Sequence, residues 1–455
     1  MPPSKPKTFP DYGNCEAKAY IDELVRLLSP NIFATQYIDA KAAASLVATA
    51  FKTYRSCAKD KRWTSNPVLK TIQQLPRINL ICAALFDLVC NAEYVHGRLV
   101  NRSWIYCNRH RNETGKPIYA YYSFLKQCPQ CCQDRGLDPR LAGAQHKPTS
   151  HHIGEITTAA TAIFLTLLGT AGSKPLEVGV ISKQSHDVDA LAWRDDLLVL
   201  FEVKSSPLVT YPIRTRLVAP FTEPGDNGPV EMPQHRLIDV DFRLQSLSLY
   251  LANRDVDIPL GQPSGAAWPY PELTKYVSTA DGFLQYMEAW TEIFLGYRIP
   301  KVERRGRDTV LGYLANGWGD EIDSNKTKAG LGRTDDIKKG TYQLLKFGAY
   351  YRNGSPKLPI RGVLTANLDP LFMYTEYFEK LIDGRWAPGS KFRPSTADSA
   401  YQEILEHDLF YIYDAVLAFN RPVVNDPLLK GCFAFPALEK ALLSGKLDDL
   451  LDSWF

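Results

Sequence analysis

SHDVDALAWRDDLLVLFEVKSSP, residues 185–207, is the stretch on which the fold turns. The polar Arg194-Asp195-Asp196 turn separates two apolar segments, which predicts a hairpin: an outgoing strand over 188–193 and a return strand over 197–204. The return strand is apolar without alternation from Leu197 through Phe201, so both of its faces should be covered. It then presents Glu202, Val203 and Lys204 in succession. Side chains alternate along a strand, so Glu202 and Lys204 share one face and Val203 takes the other. Asp189, near the start of the neighbouring strand, would be brought beside Glu202 by the hairpin. An Asp, a Glu and a Lys at the mouth of a sheet can hold a divalent metal and position a water. The plainer alternative is a solvated strand end whose Glu and Lys pair weakly.

A helical pattern precedes this stretch. HHIGEITTAATAIFLTLLGT begins at His151 and places Ile153, Ile156, Ala160, Ile163 and Leu167 on one stripe, with Glu155 expected in the first turn. A glutamate there is also favoured by the helix dipole alone. Far downstream, DDIKKGTYQLLKFGAYYRNG is helical by spacing, and PIRGVLTANL from Pro359 reads as a strand. Helix, three strands, helix, strand is the expected order.

This arrangement resembles the PD-(D/E)XK nuclease superfamily, in which an Asp, then a Glu or Asp, one apolar residue and a Lys end adjacent strands. The matching positions are Asp189, Glu202 and Lys204; the family's leading Pro is replaced by Val188. Asp187, two residues earlier on the same face, leaves the choice between the two aspartates open. The resemblance covers about residues 150–210 and 335–370. It implies an α/β, restriction-endonuclease-like core, a central mixed sheet flanked by helices. It also implies Mg²⁺ held by Asp189, Glu202 and the Val203 carbonyl, with Glu155 assisting and Lys204 acting on the water or phosphate. The core would span 150–370, interrupted by an insertion at about 210–335 that is too long for a simple connection.

Composition is compatible with this. The 455 residues suffice for two or three cores, and 45% hydrophobic with 23% charged residues is ordinary for a globular protein. No apolar run is expected to span a bilayer and no secretory signal is evident, so a cytoplasmic protein is expected. Nine cysteines in such a chain argue for thiols or metal rather than disulfides. The net charge of +3 is uneven: residues 1–150 carry 21 Lys and Arg against 11 Asp and Glu, a net of +10, which leaves −7 for the remainder. A basic third beside an acidic site suits a polyanion gripped by one part and cut by another.

Residues 1–145 read as a mainly helical basic region. Helical spacing covers Ile21, Leu24, Val25 and Leu28, breaks at Ser29-Pro30, resumes over 38–51, and returns over 78–95. The segment KDKRWTSNP, with Lys59, Lys61, Arg62 and Trp63, is either a phosphate contact or a solvated loop. A module at about 104–135 contains a Cys107, His110 pair and a Cys128, Cys131 pair. Four such ligands suit structural Zn²⁺, and Tyr119, Tyr121 and Tyr122 would lie on a hairpin between the pairs. The alternative is free thiols. Residues 371–455 are expected to be mostly helical.

Among relatives, a single large chain with long insertions and a zinc module most resembles a type II restriction endonuclease. That implies a homodimer, because two active sites must reach the two strands of double-stranded DNA, and cleavage leaving 5′-phosphates. Two other readings remain: a repair or recombination nuclease with the same core, for which no P-loop offers support, and a non-catalytic zinc DNA-binding protein.

Overall fold

The computed structural model describes residues 9–100, 150–298, 329–387 and 409–455, less several stretches inside the first three, together with strand pieces at 106–107 and 120–121. The fold is α/β and is built on a seven-stranded mixed sheet. Its strands are β1 (Leu28–Ser29), β2 (Glu177–Ile181), β3 (Ala190–Arg194), β4 (Leu197–Val203), β5 (Ile360–Ala366), β6 (Ala415–Ala418) and β7 (Arg421–Val424). They lie side by side in chain order. The first four form an antiparallel meander, β5 runs parallel to β4, β6 parallel to β5, and β7 returns antiparallel.

The hairpin forms as its pattern predicts, with Ala190 opposite Phe201 and Trp193 opposite Leu198. All seven residues of β4 are buried. The reason lies in alternation: Leu197, Val199 and Phe201 join one hydrophobic core, Leu198 and Leu200 the other. Each fully buried side chain of this kind contributes about 1.5–3 kcal/mol, so the unbroken apolar run is what fixes β4 at the centre.

Helices cover both faces. The larger core gathers α2 (Ala40–Cys57), α3 (Arg77–Val100), α4 (Ser150–Ala171) and, from the insertion, α5 (Tyr270–Val277) and α6 (Ala280–Tyr297). The smaller core lies under α1 (Lys18–Leu27) and α7 (Thr334–Tyr351). α7 supplies the crossover that a parallel β4–β5 pair requires. It lies close to the sheet because Gly340 faces Leu364, whose Cδ1 would be 2.8 Å from an added Cβ. Thr341, the polar member of its stripe, donates to or accepts from the Tyr413 hydroxyl at 2.5 Å.

Several expectations are corrected. Among the described residues of 371–455, helices Tyr374–Tyr377, α8 (Phe435–Leu443) and Asp448–Asp452 are joined by two strands the pattern does not show, β6 and β7. Two four-residue strands are too short to show a period. The chain does contain apolar helices of membrane-spanning length, Arg77–His96 and Gly154–Ala171. The first is wholly buried and the second two-thirds buried, as core helices are. Leu28 and Ser29, read as a helix end, form edge strand β1 against Ile181 and Val180.

The basic KDKRWTSNP segment is not an open loop. Trp63 is buried, stacked on Phe283 with ring centroids 6.0 Å apart, and Arg62 pairs with Asp60 and Asp281. Of the proposed zinc module, His110, Cys128 and Cys131 lie outside the described residues. Cys107 lies in a two-residue strand, Tyr106–Cys107, which pairs with Leu237–Ile238. Ala120–Tyr121 pairs with Ile213–Thr215 at the edge of a four-stranded sheet completed by Leu247–Leu251 and Val256–Gly261. Both strand pieces of the segment are therefore paired with the insertion.

Candidate active site

The C-terminal end of β4 brings Asp189, Glu202, Val203 and Lys204 together. β3 begins at Ala190, opposite Phe201, so Asp189 sits one step beyond the ladder, beside Glu202 and Val203. The Asp189 amide donates to the Phe201 carbonyl at 3.0 Å, and its Oδ2 accepts from the Val203 amide at 2.7 Å. The Lys204 ammonium donates to Glu202 Oε1 and reaches the Val203 carbonyl at 3.5 Å. On the other side, the Lys204 amide donates to the Thr365 carbonyl of β5 at 2.9 Å. Glu202 is only 3% exposed, whereas Asp189 and Lys204 are half-buried.

Charge decides what this cluster wants. Two carboxylates beside one ammonium leave an excess negative charge where water is scarce. Burial and the neighbouring Asp189 push the Glu202 carboxyl up to about 8, with Lys204 opposing the rise. Burial also raises Asp189, against the pull of Lys204 and the Val203 N–H. For Lys204 burial works against the charge, but Glu202 and Asp189 more than offset it and hold the ammonium above the usual lysine range.

The two aspartates face different neighbours. Asp187 faces α7, paired with the Lys346 ammonium and 3.4 Å from Gln343 Nε2, while Asp189 is the one beside Glu202. Glu155 is half-buried on α4, in the second turn rather than the first, because the helix begins at Ser150. Thr161 on the same helix meets Ser205 with their hydroxyls 3.2 Å apart, which fixes α4 against the end of β4. Sequence reading missed Asp336, in the first turn of α7, whose charge is felt by Lys204. Burial raises its pKa, opposed by Arg333 and Lys204. An acidic pair opening a helix reads as dipole complement, so the sequence holds no separate signal for it.

The donors that converge here are all oxygen: two carboxylates and the Val203 carbonyl. That set suits a hard divalent cation such as Mg²⁺. Lys204 supplies the supporting observation, since its ammonium already bridges two of these three donors. Among the described residues no three His, Cys, Asp or Glu side chains form a metal-binding group; here two carboxylates stand with a backbone carbonyl. Compared with family models, curated proteins and solved structures, the chain matches none.

A carboxyl whose folded pKa is raised contributes stability below the unfolded value and loses it as pH climbs through the folded value. For Glu202 the window runs from the ordinary carboxylate range up to about 8. Metal-free protein should therefore lose thermal stability between about pH 5 and about pH 8 on account of this site. Mg²⁺ should restore Tm at the upper end and have little effect at the lower, where the carboxyls are protonated. Calorimetry with chelator or with Mg²⁺ checks it, and a Mg²⁺ effect independent of pH and of Glu202→Gln would count against these ligands.

Proposed function

We propose that this chain is a Mg²⁺-dependent endonuclease acting on double-stranded DNA, in the manner of a type II restriction endonuclease of the PD-(D/E)XK superfamily. The observation that carries the reading is the convergence of Asp189, Glu202 and Lys204 at the open end of β4. It sits within a helix–three strands–helix–strand succession, α4-β2-β3-β4-α7-β5, whose last strand is parallel to β4. The spacing of a strand motif and the order of the elements around it, whose last helix and strand follow only after the long insertion, are separate features, and both fit.

Hydrolysis adds water to phosphorus and breaks one P–O bond; breakage on the 3′ side leaves a 5′-phosphate and a 3′-hydroxyl. Asp189, Glu202 and the Val203 carbonyl would hold Mg²⁺. Bound there, the ion supplies charge neutralisation at the phosphate and a lowered pKa for water. Lys204 presents a compact, charged donor on the same face as Glu202. Its ammonium orients the attacking water and offsets the negative charge that develops on the non-bridging oxygens. Asp189 is itself oriented by the Val203 N–H, which engages its Oδ2.

Two active sites must meet two antiparallel strands, so a cytoplasmic homodimer is the working form in this reading. Incubation with plasmid DNA and Mg²⁺ is the test. Discrete fragments with 5′-phosphate ends support it; random or structure-dependent nicking points to a repair or recombination nuclease; binding without cleavage points to a zinc DNA-binding protein.

The zinc half of the proposal is tested separately. If Cys107, His110, Cys128 and Cys131 hold one ion, protein purified without chelator should carry about one zinc per chain, retained through Mg²⁺ exchange because thiolates and carboxylates prefer different metals. Cys128→Ser should release it and weaken DNA binding. Elemental analysis without zinc would return these residues to ordinary thiols and imidazole.

A further inference from the structure

Immediately after Lys204 the chain leaves the sheet. Residues 204–209 belong to no strand, yet Ser205, Pro207, Leu208 and Val209 are buried. Buried amides outside a ladder need other acceptors. Here side chains provide them. Asn367, just past the end of β5, clamps Ser206 from both sides: its Oδ1 accepts from the Ser206 amide at 3.1 Å and its Nδ2 donates to the Ser206 carbonyl at 2.7 Å. Asp87 of α3 accepts from the Leu208 amide at 3.0 Å and the Val209 amide at 3.1 Å. Asn91, one turn later, accepts from the Tyr211 amide at 2.8 Å. Asp87 also receives Trp290 Nε1 of α6 at 2.8 Å and Asn367 Nδ2 at 3.5 Å. Asp87 and Asn367 are both fully buried.

We propose that Asn367 and Asp87 are positioning residues for Lys204, holding its ammonium against Glu202 and the Val203 carbonyl by fixing the backbone of the 205–209 segment. The inference rests on Lys204 as the working cation of the site. Lys204 is gripped on its N-terminal side by the ladder and by Thr365, and C-terminally by this segment, where Thr161 also meets Ser205 and the Gly330 amide donates to the Ser206 carbonyl at 3.0 Å. A Lys side chain has four rotatable carbons, so its head stays in place only if the backbone on both sides is held. Asn367 sits two residues past Thr365, the acceptor for the Lys204 amide, so the same stretch of chain fixes both sides of Lys204. Asp87 joins that clamp to α3 and, through Trp290, to the insertion.

The test uses the full chain and two readouts. Acylation of lysines by an amine-reactive ester, followed peptide by peptide by mass spectrometry without DNA, reports how well Lys204 is held. In native protein Lys204 should react slowly; in Asn367→Ala it should react severalfold faster, while exposed Lys338 and Lys339 keep their rates. Tyr270→Phe removes a buried hydrogen bond to Glu93 on the same helix α3. It controls for lost stability and should leave the Lys204 rate unchanged. Asp87→Asn, which turns an acceptor oxygen into a donor facing the segment, is the second variant and carries the same expectation should Asn367→Ala not fold.

In single-turnover cleavage both clamp variants should be slower by about 10²-fold with DNA Kd unchanged. An unchanged acylation rate in the folded variant overturns the proposal and leaves Asn367 a fold anchor. A native protein that cleaves no DNA overturns the nuclease reading instead, and the acylation result still decides the positioning role.

Discussion

Lys204→Ala should slow DNA cleavage by about 10³-fold and leave DNA affinity within a few-fold. The ammonium sits where the phosphate charge would develop, whereas affinity for a long polyanion is spread over many contacts. Its loss also strips the Glu202–Asp189 pair of its only cation among the described charge partners, so the variant should demand more Mg²⁺. Asp189→Ala should match it. Asp187→Ala should cost about tenfold or less, because Asp187 pairs with Lys346 on α7 and bears on the site only at a distance. Side-by-side cleavage and filter-binding assays decide the matter. Retained turnover in Lys204→Ala removes the catalytic assignment, and a larger loss in Asp187→Ala than in Asp189→Ala reverses the choice of aspartate.

The hairpin carrying this site is legible in the sequence for a physical reason. A strand buried on both faces must be apolar throughout, so Glu202 stands out as the point where burial meets chemistry. α7 and β5 are legible for a similar reason, since each is long enough to show its period. β6 and β7 are not, being four residues each and placed by pairing with β5 rather than by pattern. The clamp behind Lys204 is equally hidden: Asp87, Ser206 and Asn367 lie more than a hundred residues apart in sequence and meet only once the sheet and α3 are in place. A buried Asp within the apolar run ICAALFDLVC is the one sign that a polar group is needed there. Asp187 and Asp189 share a strand face, so periodicity cannot separate them; in the fold Asp187 differs by pairing with Lys346, 159 residues away in sequence.

Asp414→Ala should be among the most destabilising single substitutions, at about 3–5 kcal/mol, without altering the chemistry of the folded fraction. Asp414 lies just before β6 and is 1% exposed; its partner Arg352, at the end of α7, is 5% exposed. The same carboxylate oxygen that meets the guanidinium accepts the Gly362 amide of β5 at 2.7 Å. Removing it leaves a charged guanidinium and a strand amide in the interior, each without this acceptor. Arg361 lies close by as a like charge that disfavours the stranded cation, offset in part by Asp426, to which Arg361 is paired. Removing both partners is a different matter, because a buried pair replaced by apolar groups of similar size is often neutral or stabilising. Arg352→Met combined with Asp414→Leu should therefore recover much of the loss, less the Gly362 hydrogen bond. Chemical denaturation of the three variants measures it. A loss below about 1 kcal/mol in Asp414→Ala would mean that water reaches Arg352 and that this end of the sheet is more open than its packing indicates.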